Sequence, residues 1–175
     1  ATVHLTDITP QGEKKERLTA EELLKTEAGR LFVERKYAKA LPEFQALAQA
    51  YPQDIAVQRY IGACYDHLRR DREAIGIFEE ILARDPADLP SREFLGRIYL
   101  RNGDLDDAEK HFSALVEHDA AGAYRAAANA RLSAIRKLRA APAPGPAGRQ
   151  ITPQEFLKTQ AAREFMNARY ENALE

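Results

Sequence analysis

The chain has 175 residues, about one domain's worth. Its 26 basic and 27 acidic side chains leave a formal net charge of −1, which argues against a nucleic-acid binder driven by a strong positive field. Charged residues make up 30% of the chain, so no apolar run is long enough to span a bilayer, and a single cysteine excludes an internal disulfide framework and a multi-cysteine zinc site.

Residues 1–18 read as an N-terminal extension. The sequence opens on Ala1 with no basic, apolar and small-residue signal, and it closes at Glu175 inside a helical pattern without a cap. A processed product or an excised piece is therefore expected. The lone cysteine is compatible with cytosol or periplasm, and cytosol is the expectation.

From Thr19 onward one repeat period dominates. Ala40, Ala74 and Ala108 are 34 apart, and so are Phe44, Phe78 and Phe112. Ala28, Gly62 and Gly96 keep the same step, as do Leu31, Tyr65 and Tyr99, and Leu47, Ile81 and Leu115. Pro52 and Pro86 close two of the units. Three units follow: 21–54, 55–88 and 89–122. Small residues let paired helices approach closely, the phenylalanines fill the gap between one pair and the next, and proline ends a helix because it cannot continue the hydrogen-bond ladder. Gly103, within Arg101-Asn102-Gly103-Asp104, permits a left-handed turn residue. One such unit cannot bury its apolar face alone, so the units must stack.

These columns resemble the tetratricopeptide repeat (TPR) family over roughly residues 19–122. The resemblance implies an all-α fold, a right-handed superhelical solenoid of antiparallel helix pairs. The first unit departs most from the family pattern, with Glu27 where the family prefers Leu and Pro42 within the second helix, expected in its first turns. The alanine-rich stretch 123–139 reads as a C-terminal capping helix, with Leu132, Ile135 and Leu138 on one side and Arg131, Arg136, Lys137 and Arg139 elsewhere.

Residues 140–150 form a Pro/Ala/Gly linker. Beyond it the pattern returns. Thr152, Glu155, Leu157, Lys158, Thr159, Ala161, Arg163, Phe165, Tyr170, Ala173 and Leu174 match identical residues between Thr19 and Leu41 at one constant offset, with no gap needed. Residues 151–175 thus read as a partial further TPR unit, either the start of a second tandem module or a lone extra unit. A partial unit leaves Phe156, Leu157, Phe165 and Tyr170 needing a cover, so self-association through 152–174 is one expectation.

The resemblance also implies a concave groove lined by the first helix of each pair. Its positions here are Glu22, Lys25, Gly29, Phe32 and Val33 in the first unit. In the second they are Ala56, Arg59, Ala63, Asp66 and His67, and in the third Pro90, Glu93, Arg97, Leu100 and Arg101. Spacings of three and four put each set on one helical face. Lys25, Arg59, Arg97 and Arg101 offer donors for an acidic peptide or a free carboxylate. Gly29 and Ala63 are expected to leave room for a ligand, and Phe32 and Leu100 to take an apolar anchor. The same charges also read as ordinary solvated helix faces. The carboxylate clamp of chaperone-adaptor TPR domains is not matched: Lys25 fits, but Gly29, Tyr60 and Pro90 replace two Asn and a Lys.

No catalytic constellation is visible. Phosphate-binding glycine loops, His-Glu-x-x-His and Cys-x-x-Cys are all missing from the sequence. Cys64 reads as a packed thiol, and His111 and His118, seven apart, lack a third ligand. The expectation is a non-catalytic protein–protein interaction module that holds a peptide or partner domain in its groove, with no cofactor, no metal, no nucleic acid and no membrane insertion. The alternatives are an accessory region of a larger multidomain enzyme and a self-assembling homo-oligomeric scaffold.

Overall fold

The structure is a computed structural model that describes residues 17–140. The described residues form helices joined by short turns, with no strand among them. In chain order these are α1 (Ala20–Lys25), α2 (Glu27–Val33), α3 (Tyr37–Ala50), α4 (Ile55–His67), α5 (Asp71–Arg84), α6 (Leu89–Asn102), α7 (Leu105–His118) and α8 (Arg125–Ala140). The chain divides into two units, residues 1–81 and 82–175, and the boundary falls inside α5. Most of the expected N-terminal extension (1–18), the expected linker beyond residue 140 and the expected partial repeat 151–175 lie outside the described residues.

In the first unit the core is built from Leu23, Ala28, Ala40, Leu41, Phe44, Val57, Ile61 and Cys64. The small-residue column has a visible cause there. A Cβ on Gly62 would stand 2.7 Å from the Phe78 ring, so a methyl there would push the ring out of its seat. In the second unit the core runs through Leu100, Leu105, Ala108, Phe112, Leu115, Ala128, Leu132 and Ile135. Gly96 meets Phe112 in the same way, again at 2.7 Å.

Buried aspartates start several helices. Asp54 accepts from the N–H groups of Ala56 (2.8 Å) and Val57 at the head of α4, and from Leu18 N–H (2.6 Å). Asp88, at the same place in the next repeat, accepts from Ser91 N–H at 2.9 Å at the head of α6. Each satisfies helix N–H groups that have no partner within the helix. Asp119 precedes α8 and accepts from Gly122, Tyr124 and Arg125 N–H groups at 2.9, 2.6 and 3.0 Å. Burial pushes its carboxyl upward, but the N–H groups of Tyr124, Arg125, Gly122 and Ala123 outweigh that and hold it below the usual range.

The helix-to-helix turns inside each repeat share one backbone design. Lys36 N–H donates to Leu31 O, Arg70 N–H to Tyr65 O and Asp104 N–H to Tyr99 O, at 2.8, 2.9 and 2.9 Å. This is the six-to-one closure of a helix whose next residue is left-handed. The left-handed residues are Arg35 (φ 59°), Arg69 (φ 59°) and Gly103 (φ 84°). Gly103 was foreseeable from its type; the two arginines were not.

Two expectations about helix bounds need correction. The first helix of the first repeat is not continuous but breaks at Thr26, whose hydroxyl donates to Leu23 O (2.6 Å) and accepts from Gly29 N–H (3.0 Å). Thr26 thereby ends α1 and caps α2. Pro42 sits in the second turn of α3, within the first turns where it was expected, and both it and Ala38, whose carbonyl loses its donor, are exposed. The last helix starts at Arg125, not 123, because Asp119 and the left-handed Gly122 build a longer turn, and it takes Ala140 from the expected linker.

Candidate functional site

The expected partner-facing residues fall in both units, and each unit presents its own set. In the first unit, Lys25 and the pair Gly29 and Phe32 do not share one helical face, because the Thr26 break separates α1 from α2. Lys25 is exposed, with its Nζ 2.5 Å from Glu21. Glu22 is committed to a capping box: its carboxylate accepts from Thr19 N–H at 2.8 Å. Gly29 leaves no room for a ligand. It is buried, and a Cβ there would lie 2.6 Å from Leu24 Cα and against the Leu23 main chain. Its smallness serves the α1–α2 break.

Phe32 is the hub of a ring cluster. Its ring stands edge-on to Tyr37, Phe44, Tyr60 and His67, with centroids 5.2, 6.1, 5.0 and 6.0 Å away. Phe44 stacks on Tyr60 at 5.0 Å, and Tyr37 stacks on His67 at 4.0 Å with the planes 3° apart. Edge-to-face and stacked rings of this kind add to their burial energy. His67 remains exposed, Phe32, Tyr37 and Tyr60 are half-buried, and Val33 stands 66% exposed beside them. Arg59 is half-buried on the same helix as Tyr60 and His67. Ala63 and Asp66, by contrast, are buried, so Ala63 offers no open space.

In the second unit Glu93, on α6, sits between two guanidinium groups. Arg97 lies 3.5 Å away on the next turn and Arg131 of α8 lies 3.2 Å away. Arg97 also lies over the Phe94 ring at 5.1 Å, and Arg131 over Phe112 at 5.4 Å. Arg131 belongs to the packed side of α8, with its side chain 14% exposed, rather than to its solvent face. Arg139 likewise turns back to Asp106 (2.5 Å) and Glu109. Leu100 is 2% exposed within the core and offers no anchor to a partner. Arg101 and Pro90 are half-buried.

The structure thus gathers Phe32 and His67 in the first unit, and Glu93 and Arg97 in the second. Sequence reasoning missed Tyr37 and Tyr60 as ring partners and Arg131 as the second cation on Glu93. Arg131 had a readable signal: it falls three after Ala128 and four before Ile135, on the buried stripe of α8.

Burial pushes the Cys64 thiol up to about 12, which keeps it protonated and inert. His111 is buried and stacks on Tyr99 at 5.7 Å. Among the described residues no group of three His, Cys, Asp or Glu could hold a metal ion, and no helix is long and apolar enough to cross a membrane.

With this geometry in view, the comparisons are specific. The family described as tetratricopeptide repeat matches residues 31–91 and again 72–132, which together span more than half of the chain. Among solved structures, the Yersinia enterocolitica type III secretion translocator chaperone SycD is similar, with a TM-score of 0.61 at 20% sequence identity. The likeness covers 71% of this chain and 90% of SycD, and at that identity it speaks for the fold. No curated protein matches the sequence.

Proposed function

The chain belongs to the tetratricopeptide repeat family, and we propose that it is a non-catalytic interaction scaffold that holds a polypeptide on the first-helix faces of its repeats. The observation that carries this reading is the ring cluster around Phe32. Half-buried Phe32, Tyr37 and Tyr60, exposed His67 and Val33, and the half-buried Arg59 combine flat apolar surface with donors. Such a mixture suits a peptide that brings an apolar side chain and an acidic group or free carboxylate. The fold of a translocator chaperone supports the class of partner, since a chaperone's client is itself a protein. In the second unit Glu93, Arg97 and Arg101 form the corresponding polar set.

The test is selection of displayed random peptides on the full chain, followed by titration of the winners. Arg59→Glu/His67→Ala in the first unit and Arg97→Glu in the second are measured separately, after the helical signal is checked. The reading expects a selected peptide whose affinity falls about tenfold or more in at least one variant. A peptide bound equally by both variants would move the site off these helices, and the absence of any selected peptide would remove the peptide-binding reading. Self-association through 152–174 concerns residues outside the described ones and is tested by chain mass against concentration.

A further inference from the structure

The two repeat turns of the first unit carry arginine where the backbone asks for glycine. Arg35 and Arg69 both have φ of 59°, a conformation in which an L side chain crowds the following carbonyl. The equivalent turn of the third repeat uses Gly103 and avoids that strain. Strain of this kind, kept in two turns of one unit, points to something the side chains do.

What they share is position. Tyr37, two residues after Arg35, stacks on His67, two residues before Arg69, at 4.0 Å. The two turns are therefore neighbours, clamped by that stack. Arg35, Lys36, Lys39, Arg69, Arg70 and Arg72 are all exposed along this edge. Lys36 is paired with Glu34 and Arg70 with Glu73, each at 2.7 Å. Asp71 at the head of α5 brings the edge's third acid, which leaves basic charge in excess. Among the described residues no side-chain hydrogen bond or ion pair engages Arg35 or Arg69.

We propose that this edge, centred on Arg35 and Arg69, is a second docking surface and that its occupant is an acidic segment of a partner protein, held through side-chain carboxylates. It adjoins the ring cluster discussed above, sharing the Tyr37–His67 stack with it, but its charges lie on the turns that follow the first helices rather than on the helix faces. Charge complementarity argues for the occupant. Guanidinium groups present a planar fork that matches carboxylates two bonds at a time. A chain of net charge −1 has no broad positive field with which to hold a membrane, and Glu34, Asp71 and Glu73 interleave the edge with acids, unlike an uninterrupted polybasic membrane segment.

The probe is fluorescently labelled poly-L-glutamate, titrated into the full chain at low salt and again at high salt. The variants are Arg35→Gly/Arg69→Gly, which remove both charges and relieve the backbone. The proposal expects salt-sensitive binding by the wild type and about tenfold weaker binding by the double variant, with an unchanged or higher unfolding midpoint. That combination separates a docking role from a structural one, because loss of binding accompanies no loss of fold. Should the glycine pair lower the midpoint, Lys39→Ala/Arg72→Ala, at exposed helical positions, serves instead, with binding weakened about threefold. Equal binding by wild type and variants would overturn the proposal, as would no binding of poly-L-glutamate by the wild type. So would binding of phosphatidylserine vesicles in place of the polypeptide, which would assign the edge to a lipid surface.

Discussion

The first and third repeats answer the same sequence columns differently. In the third, α6 is one unbroken helix, Gly96 receives the Phe112 ring, and Gly103 makes the turn without strain. In the first, Ala28 takes the small-residue column, the tight glycine is one place later at Gly29, and it serves a break at Thr26 instead of a ring. The turn that follows uses strained Arg35. The repeat period therefore dictates which positions are small or aromatic, while the local backbone is free to vary once those positions are filled.

The largest expected effect tests the ring seat. Phe112→Ala should cost about 3–5 kcal/mol in chemical denaturation, because the facing Gly96 has no side chain with which to collapse into the space. Next comes the break. Gly29→Ala should cost about 1–3 kcal/mol, since its methyl would meet main-chain atoms that cannot rotate away. Gly76→Ala, with nothing within 4 Å in α5, should instead gain about 1 kcal/mol. A loss at both glycines would show that the contact with Leu24 is not what distinguishes Gly29.

The turns sharpen the contrast at a smaller scale. Gly103→Ala should cost about 1 kcal/mol, whereas Arg69→Gly should gain a few tenths to about 1 kcal/mol, both read from thermal unfolding midpoints. The smallest effect concerns pH. The Asp119 carboxyl is held below its unfolded value, so its contribution is present above that value and lost as pH falls through the folded one. Asp119→Asn should lower the midpoint at pH 7 and make the further fall below about pH 4 shallower than in the wild type.

Much of the fold was legible in the chain itself. Ala40, Phe44, Ala74, Phe78, Ala108 and Phe112, singled out by period alone, are each 0% exposed. Leu132 and Ile135 are buried on α8 as their spacing required. The site was less legible, because a helical face read from spacing says which residues point together and not what covers them. Phe32, Asp66 and Leu100 share one column of the repeat, yet Phe32 is half-buried while Asp66 and Leu100 are 2% exposed.

The amino-acid sequence determined the repeat, its helix order and the aromatic core, since periodic small and large side chains can be buried in only one register. Tertiary structure decided what the periodicity left open: the second cation on Glu93 and the ring cluster around Phe32. Each depends on a group distant in sequence: Arg131 of α8 reaches Glu93 of α6, and the rings of Phe44 and Tyr60 close around Phe32, whereas the break at Thr26 and the left-handed turns are local hydrogen-bonded closures.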